Sequence, residues 1–264
     1  PNLRRGATDY PITVAGDTAA PMLMNVVGGS TTHYNAHFPR LRPSDFRKGT
    51  EHGLEGSADW PISYEDLAPY YEQNDRELGV SGIHGDPSMP PRAPRQTGPL
   101  PFGPHGRRIS EGFERLGWHW WPADCAILSE DYDGRVACNQ CGSCRNGCPR
   151  GSLAMATRTY WPKAIQNGVE LRTLSRVEQI TTDERGRANG AVYIDLRTGE
   201  RHHQPADVVV LAASGFGTPR ILLLSATAQH PDGLANQSGL VGRYLMHHAY
   251  GEQMMVFSEP LDTF

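Results

Sequence analysis

Six consecutive apolar residues, Val208-Val209-Val210-Leu211-Ala212-Ala213, run straight into Ser214-Gly215-Phe216-Gly217-Thr218-Pro219. This stretch constrains the fold more than any other. Apolar residues without polar alternation predict a strand over 207–213 covered on both faces, as in the central sheet of an α/β protein. The glycine turn leads into a helix, with Pro219 expected in its first turn. Strand, glycine turn and helix N-terminus together suit a phosphate group. Just upstream the period changes. Residues 169–174, 177–182, 190–196 and 200–204 alternate as short strands, with turns at 183–186 and Thr198-Gly199. They predict a small antiparallel meander.

The first part of the chain is rich in loops. Its helix signals are a Ser63 cap with Asp66 three residues on, followed by Leu67, Tyr70, Tyr71 and Leu78 at helical spacing. A short helix is expected around 109–116, and another within 151–167, broken at Trp161-Pro162. The proline-rich 81–106 reads as an extended surface arm. With 29 glycines and 21 prolines among 264 residues, a coiled coil or helical bundle is excluded. Twenty-five basic and 29 acidic side chains leave a net charge of −4, which gives no electrostatic reason to expect nucleic acid or an anionic membrane as partner. No apolar run is long enough to span a bilayer. The chain starts at Pro1 and ends at Phe264, just after the strand-like 253–257, so it is expected to be the middle piece of a longer protein.

Four of the five cysteines lie within eleven residues: Cys138, Cys141, Cys144 and Cys148, followed by Pro149. The spacing C-x2-C-x2-C-x3-C-P is that of a bacterial ferredoxin ligand run, so an iron–sulfur cluster is one reading. In two-cluster ferredoxins the fourth cysteine serves the other cluster, and no second run exists here. A single cluster needs Cys148 bent inward, a remote ligand such as Cys125, or only three ligands. Zinc is a second reading, and disulfides or free thiols a third. The compartment stays open, because clustered thiols suit a reducing one if they bind metal and an oxidising one if they pair. The other local signal is Val27-Gly28-Gly29-Ser30, followed by Thr31, Thr32, His33, Tyr34 and Asn35. Its glycines let the backbone approach a flat ligand.

Taken in order, these stretches resemble the glucose–methanol–choline (GMC) flavin oxidoreductases. Asn25-Val26-Val27-Gly28-Gly29-Ser30-Thr31 is similar to that family's loop against the flavin ring. Residues 39–46 resemble the segment after it, and 60–71, the cysteine run and 157–164 resemble its sugar and polyol branch, which includes gluconate dehydrogenases and pyranose oxidases. Arg176-Val177 is similar to the place where a valine backbone meets the adenine. Residues 209–215 and 218–225 resemble the second signature, and 241–248 the V-G-R-x-L-x-x-H segment, which accounts for His247-His248 without making them the catalytic pair.

The resemblance implies an FAD-binding, Rossmann-like α/β domain with an antiparallel meander and a loop-rich insertion. Residues 1–50 would touch the flavin, 51–150 would form the insertion with the cysteines, and 151–264 would complete the FAD domain. The family's G-x-G-x-x-G and its C-terminal substrate half, with the catalytic base, are absent from this sequence. The implied activity is hydride transfer from an alcohol or sugar CH–OH carbon to flavin N5. Oxygen, a quinone or a protein would accept the electrons, through a cluster at the cysteines if one is present. The implied cofactor contacts are Val27, Gly28, Gly29, Ser30, His33, Asn35, Val177, Ala213, Ser214 and Gly215. Ser30–Asn35 is also similar to the pyranose oxidase run whose histidine is covalently bound to flavin. That makes His33 a candidate attachment point, although Tyr34 stands where that run has Trp. The alternative is a metal-stapled electron-transfer or scaffold subunit without flavin, or a structural subunit with a disulfide knot.

Overall fold

The computed structural model describes residues 24–53, 56–246, 254–258 and 260–261. The chain divides into two compact units at Val169 and Glu170. Residues 51–150 lie in the first unit with 24–50 and 151–169.

In the first unit, short extended segments are cross-linked singly: His37 and Ser81 each bridge to Cys125, Ser81 to Thr97, and Ile127 to Leu153. They enclose a core of Ala36, Leu78, Val80, Ala126, Ile127, Leu153, Ala154 and Met155. Around it lie α1 (Lys48–His52), α2 (Tyr64–Leu78), α3 (Pro104–Leu116) and α4 (Tyr160–Gln166). Helix α2 begins as its sequence dictates. Asp66 N–H donates to Ser63 Oγ, and the Ser63 N–H donates to the Asp66 carboxylate at 2.8 Å. The N–H and hydroxyl of Ser63, both donating to it, hold the Asp66 carboxyl below the usual carboxylate range. Its contribution to the helix start is therefore complete above the ordinary carboxylate pKa and fades only as pH falls through the lowered value. The helix ends at Gly79, whose φ of 68° is left-handed. A Cβ there would lie 2.6 Å from Leu128 Cδ2, so the cap must be glycine. Helix α4 starts later than expected, at Tyr160, with Pro162 in its first turn, where a missing N–H costs nothing.

The proline-rich segment is not a surface arm. The Arg92 and Arg95 side chains are only 5% and 1% exposed and meet Asp124, each at 2.7 Å. Arg95 and Arg40 also reach Asp75, and Arg40 meets Glu72 at 2.9 Å. Three guanidiniums and three carboxylates thus balance within one buried cluster. Burial alone would make Arg40 easier to deprotonate, but Asp75, with Tyr64 and Glu72, outweighs it and raises its pKa.

The second unit holds a three-stranded antiparallel sheet in the order β1 (Ser175–Thr182), β2 (Ala188–Asp195), β3 (Arg201–Pro205), followed by α5 (Ser214–Leu224). The meander is present as the alternation predicts, apart from 169–174, which forms no strand. Helix α5 packs on β1, and the Ile180 N–H donates to Ser225 Oγ at 2.8 Å. Residues 207–213 form no strand, against expectation: 207 and 208 make a bend and 209–213 no regular structure. Val209, Leu211 and Ala213 pack on the core of Ile180, Ile221 and Leu234, whereas Val208 and Val210 are 77% and 84% exposed. A strand exists only through ladder partners, and none of the described residues runs beside 207–213. Helix α5 starts at Ser214, which puts Pro219 beyond its first turn.

Replacing Asp75 by Asn should leave Arg40 and Arg95 short of counter-charge in the interior and cost about 3–5 kcal/mol. Glu77→Gln, which removes the half-exposed partner of Lys163, should cost under about 1 kcal/mol. Urea unfolding of the two variants checks the contrast, and equal losses would contradict it.

Candidate functional site

In the first unit the candidate residues form one tight turn. The Gly29 N–H donates to Val26 O at 2.8 Å, and a 3-10 turn follows over Gly29–Thr32. Gly28 and Gly29 have φ of 88° and 55°, which only glycine adopts without strain. Their surroundings differ. A Cβ on Gly28 would sit 3.0 Å from Thr157 Cγ2, whereas Gly29 faces open space. That open face is where a flat ring can approach the backbone.

Segment 154–157 fixes this turn. The Ala156 N–H donates to Thr31 Oγ1 at 3.1 Å, and the Tyr34 hydroxyl donates to Ala154 O at 3.0 Å. Burial raises the Tyr34 pKa, so its hydroxyl stays protonated and remains a donor. Ala36 then turns the chain inward at φ 60°, fully buried, with its carbonyl accepting from the Ala126 N–H. Ser30 and Asn35 are exposed, while Val27 and His33 are half-buried.

The tautomer of His33 follows from its neighbour. The single proton of the Thr32 hydroxyl goes to Gly29 O at 2.9 Å. The contact of Thr32 Oγ1 with His33 Nδ1 at 2.6 Å therefore has Nδ1–H as donor. A neutral ring with its proton on Nδ1 carries its lone pair on Nε2.

The remaining candidates lie in the second unit. Val177 is on β1, an edge of the sheet among the described residues, at a bulge between Val177 and Gln179. Ala213 caps α5, and its N–H donates to Thr218 Oγ1 at 3.1 Å. Ser214 has φ 73°, and its hydroxyl faces the N–H groups of Phe216 and Gly217 at 3.4 and 3.5 Å. Gly215 faces open space. His247-His248 lies outside the described residues.

The four clustered cysteines line one cavity of about 380 Å³ with His105, Asn139 and Arg150. All five cysteines are free. Cys138, Cys144 and Cys148 lean on the core, and Cys141 is exposed. Among the described residues no three Cys, His, Asp or Glu side chains come together as a metal ion requires. The sulfurs thus share a cavity without forming a ready iron–sulfur or zinc site among the described residues. Burial raises the Cys144 pKa, helped by the sulfurs of Cys138, Cys148 and Cys141. Hydrogen bonding from Ser143, with Arg150 nearby, lowers that of Cys141. Cys125 is close enough to Cys144 for the two sulfurs to interact. The loop also meets the glycine turn, since a Cβ on Gly147 would lie 3.8 Å from Thr32 O. The sequence did not reveal the part played by 154–157, although 157–164 stood among the resembling stretches.

The glycine turn open on one face, the antiparallel meander and the helix entered through a Ser-Gly turn stand at the stretches that resemble the flavin oxidoreductases. The family model described as GMC oxidoreductase matches residues 12–250, and the chain belongs to that family. The chain is 56% identical over 249 residues to the 2-methyl-1,2-propanediol dehydrogenase of Mycolicibacterium austroafricanum, covering 94% of this chain and 44% of that protein. It is 35% identical to the fructose dehydrogenase large subunit of Gluconobacter japonicus, covering 84% of this chain and 41% of the relative. The chain thus spans less than half the length of these curated relatives. An FAD-dependent oxidoreductase from Chaetomium thermophilum shares the fold at a TM-score of 0.52 and 19% identity, over 78% of this chain and 35% of that one.

Gly29→Ala should cost only the left-handed penalty, about 1–2 kcal/mol. Gly28→Ala should cost more, because its methyl also meets Thr157. Chemical unfolding of both variants orders them, and Gly29→Ala as the more damaging would contradict the geometry.

Proposed function

We propose that this chain is the flavin-bearing part of an FAD-dependent dehydrogenase that oxidises the CH–OH carbon of an alcohol or sugar, with small polyols as the first candidates. The observation that carries this reading is the 56% identity, along 94% of the chain, to a protein named for 2-methyl-1,2-propanediol. The second relative's name, fructose dehydrogenase large subunit, supports both the substrate class and a partner chain. The electron acceptor is oxygen, a quinone or a protein.

The residues present fit the cofactor. Gly29 offers an open backbone face that a Cβ would fill. FAD, when bound, supplies the acceptor for the hydride leaving the carbinol carbon. On this reading the Val27–Ser30 backbone supports the ring, and the exposed Ser30 hydroxyl and Asn35 amide supply hydrogen bonds. His33 presents its Nε2 lone pair to a cofactor donor. Val177 offers backbone groups to the adenine. Ala213, Ser214 and Gly215 place the start of α5 toward the phosphates.

The test is anaerobic addition of 2-methyl-1,2-propanediol to the full-length protein. Bleaching of the flavin's visible bands is the expected result. A protein purified with bound flavin that neither this diol nor fructose bleaches would refute the substrate class.

His33→Ala should weaken flavin binding by roughly 0.5–1.5 kcal/mol, the worth of one neutral hydrogen bond. Acid precipitation of the unmodified protein should release the flavin to the supernatant. Colour kept in the pellet would replace the hydrogen bond with a covalent link at His33.

A further inference from the structure

Gly28 and Gly29 give the turn a backbone with much conformational freedom, yet a ring can rest on it only if it is held in one place. Bonds inside the turn fix its shape. The Gly29 N–H donates to Val26 O, and the Thr31 and Thr32 hydroxyls donate to Gly28 O and Gly29 O. All these partners lie within 26–32, so the bonds do not fix where the turn points. Contacts from outside do that. The Ala156 N–H holds Thr31 Oγ1 at 3.1 Å. The Thr157 methyl stands against the side of Gly28 where a side chain would emerge, 3.0 Å from the position of a Cβ. The corresponding side of Gly29 is open.

The segment that carries Thr157 is itself firmly held. Ala154 and Met155 are buried, the Ala154 N–H donates to Ala126 O at 2.8 Å, and the Thr159 hydroxyl donates to Met155 O at 3.1 Å. Threonine is β-branched and stiff at χ1, so its methyl is a fixed stop and not a mobile one. Among the described residues the Thr157 hydroxyl makes no hydrogen bond, so the contact with Gly28 belongs to the methyl alone.

We propose that Thr157 is a positioning residue for the flavin: its methyl presses on Gly28 and so holds the open face of Gly29 toward the ring. Thr157 touches the turn and neither the cofactor nor the substrate. This role rests on the flavin reading of the same turn. Without the methyl, the glycine backbone samples more conformations, and the cofactor must order it on binding.

Two full-length variants separate the two ends of the side chain. Thr157→Ser keeps the hydroxyl and loses the methyl, whereas Thr157→Val keeps a methyl at the contact and loses the hydroxyl. FAD titration of the apoproteins should show Thr157→Ser binding about fivefold more weakly, the low end of what ordering one backbone residue costs. The visible circular dichroism of its bound flavin should also weaken, a signal that can be read whether or not the flavin is linked to His33. Thr157→Val should match the unmodified protein in both measurements. Equal weakening in the two variants overturns the proposal by assigning the role to the hydroxyl. A Thr157→Ser protein that unfolds at lower urea concentration but keeps its flavin dichroism also overturns it, because the contact is then structural only. An unmodified protein that binds no FAD refutes the flavin reading and this role with it, and that failure is seen before any substitution is made.

Discussion

The carboxylates of Asp75 and Asp124 hold the first unit together. Between them they take charge-assisted hydrogen bonds from Arg40, Arg92 and Arg95, and so join four stretches of chain. Helix α2 contributes Asp75, the proline-rich segment two arginines, the segment after the glycine turn Arg40, and the approach to Ala126 contributes Asp124. Such a cluster gains little over an apolar core while intact, but losing one member strands the others in low dielectric. With single bridges in place of a ladder, these ion pairs do much of what a sheet would do.

The candidate site inherits that order through Ala36, Ala126 and Leu153. These core residues fix 152–155, and 154–157 in turn fixes the glycine turn through Thr31 and Tyr34. The cysteine loop packs on the same core through Cys138, Cys144 and Cys148. The glycine turn and the thiol cavity are thus neighbours in one unit, although more than a hundred residues separate them in sequence. A change at Thr157 or Met155 should therefore reach both.

Local signals were legible where their energetics are local. The Ser63 cap and the three-stranded meander follow from backbone hydrogen bonding and side-chain alternation within a few residues. The family was legible for a different reason: its motifs occur in order along most of the chain. The strand expected at 207–213 was not borne out. Composition shows that Val208 and Val210 are apolar, but it does not show what lies beside them. The proline-rich segment was misread similarly, since prolines set an extended backbone but not the burial of Arg92 and Arg95.

By itself, then, the sequence determined the Ser63 cap, the meander, the glycine turn and membership of the GMC oxidoreductases, because short spacings and ordered motifs carry these. Only the tertiary structure decided that Gly29 is open while Gly28 is blocked by Thr157, and that the His33 proton sits on Nδ1. It alone separated Cys141 from the sulfurs that lean on the core. Apart from the His33 proton, which Thr32 and Gly29 of the same turn place, each of these depends on which atoms from distant parts of the chain come within a few ångströms. Spacing along the chain does not encode such proximity, because the packing of one core brings these residues together.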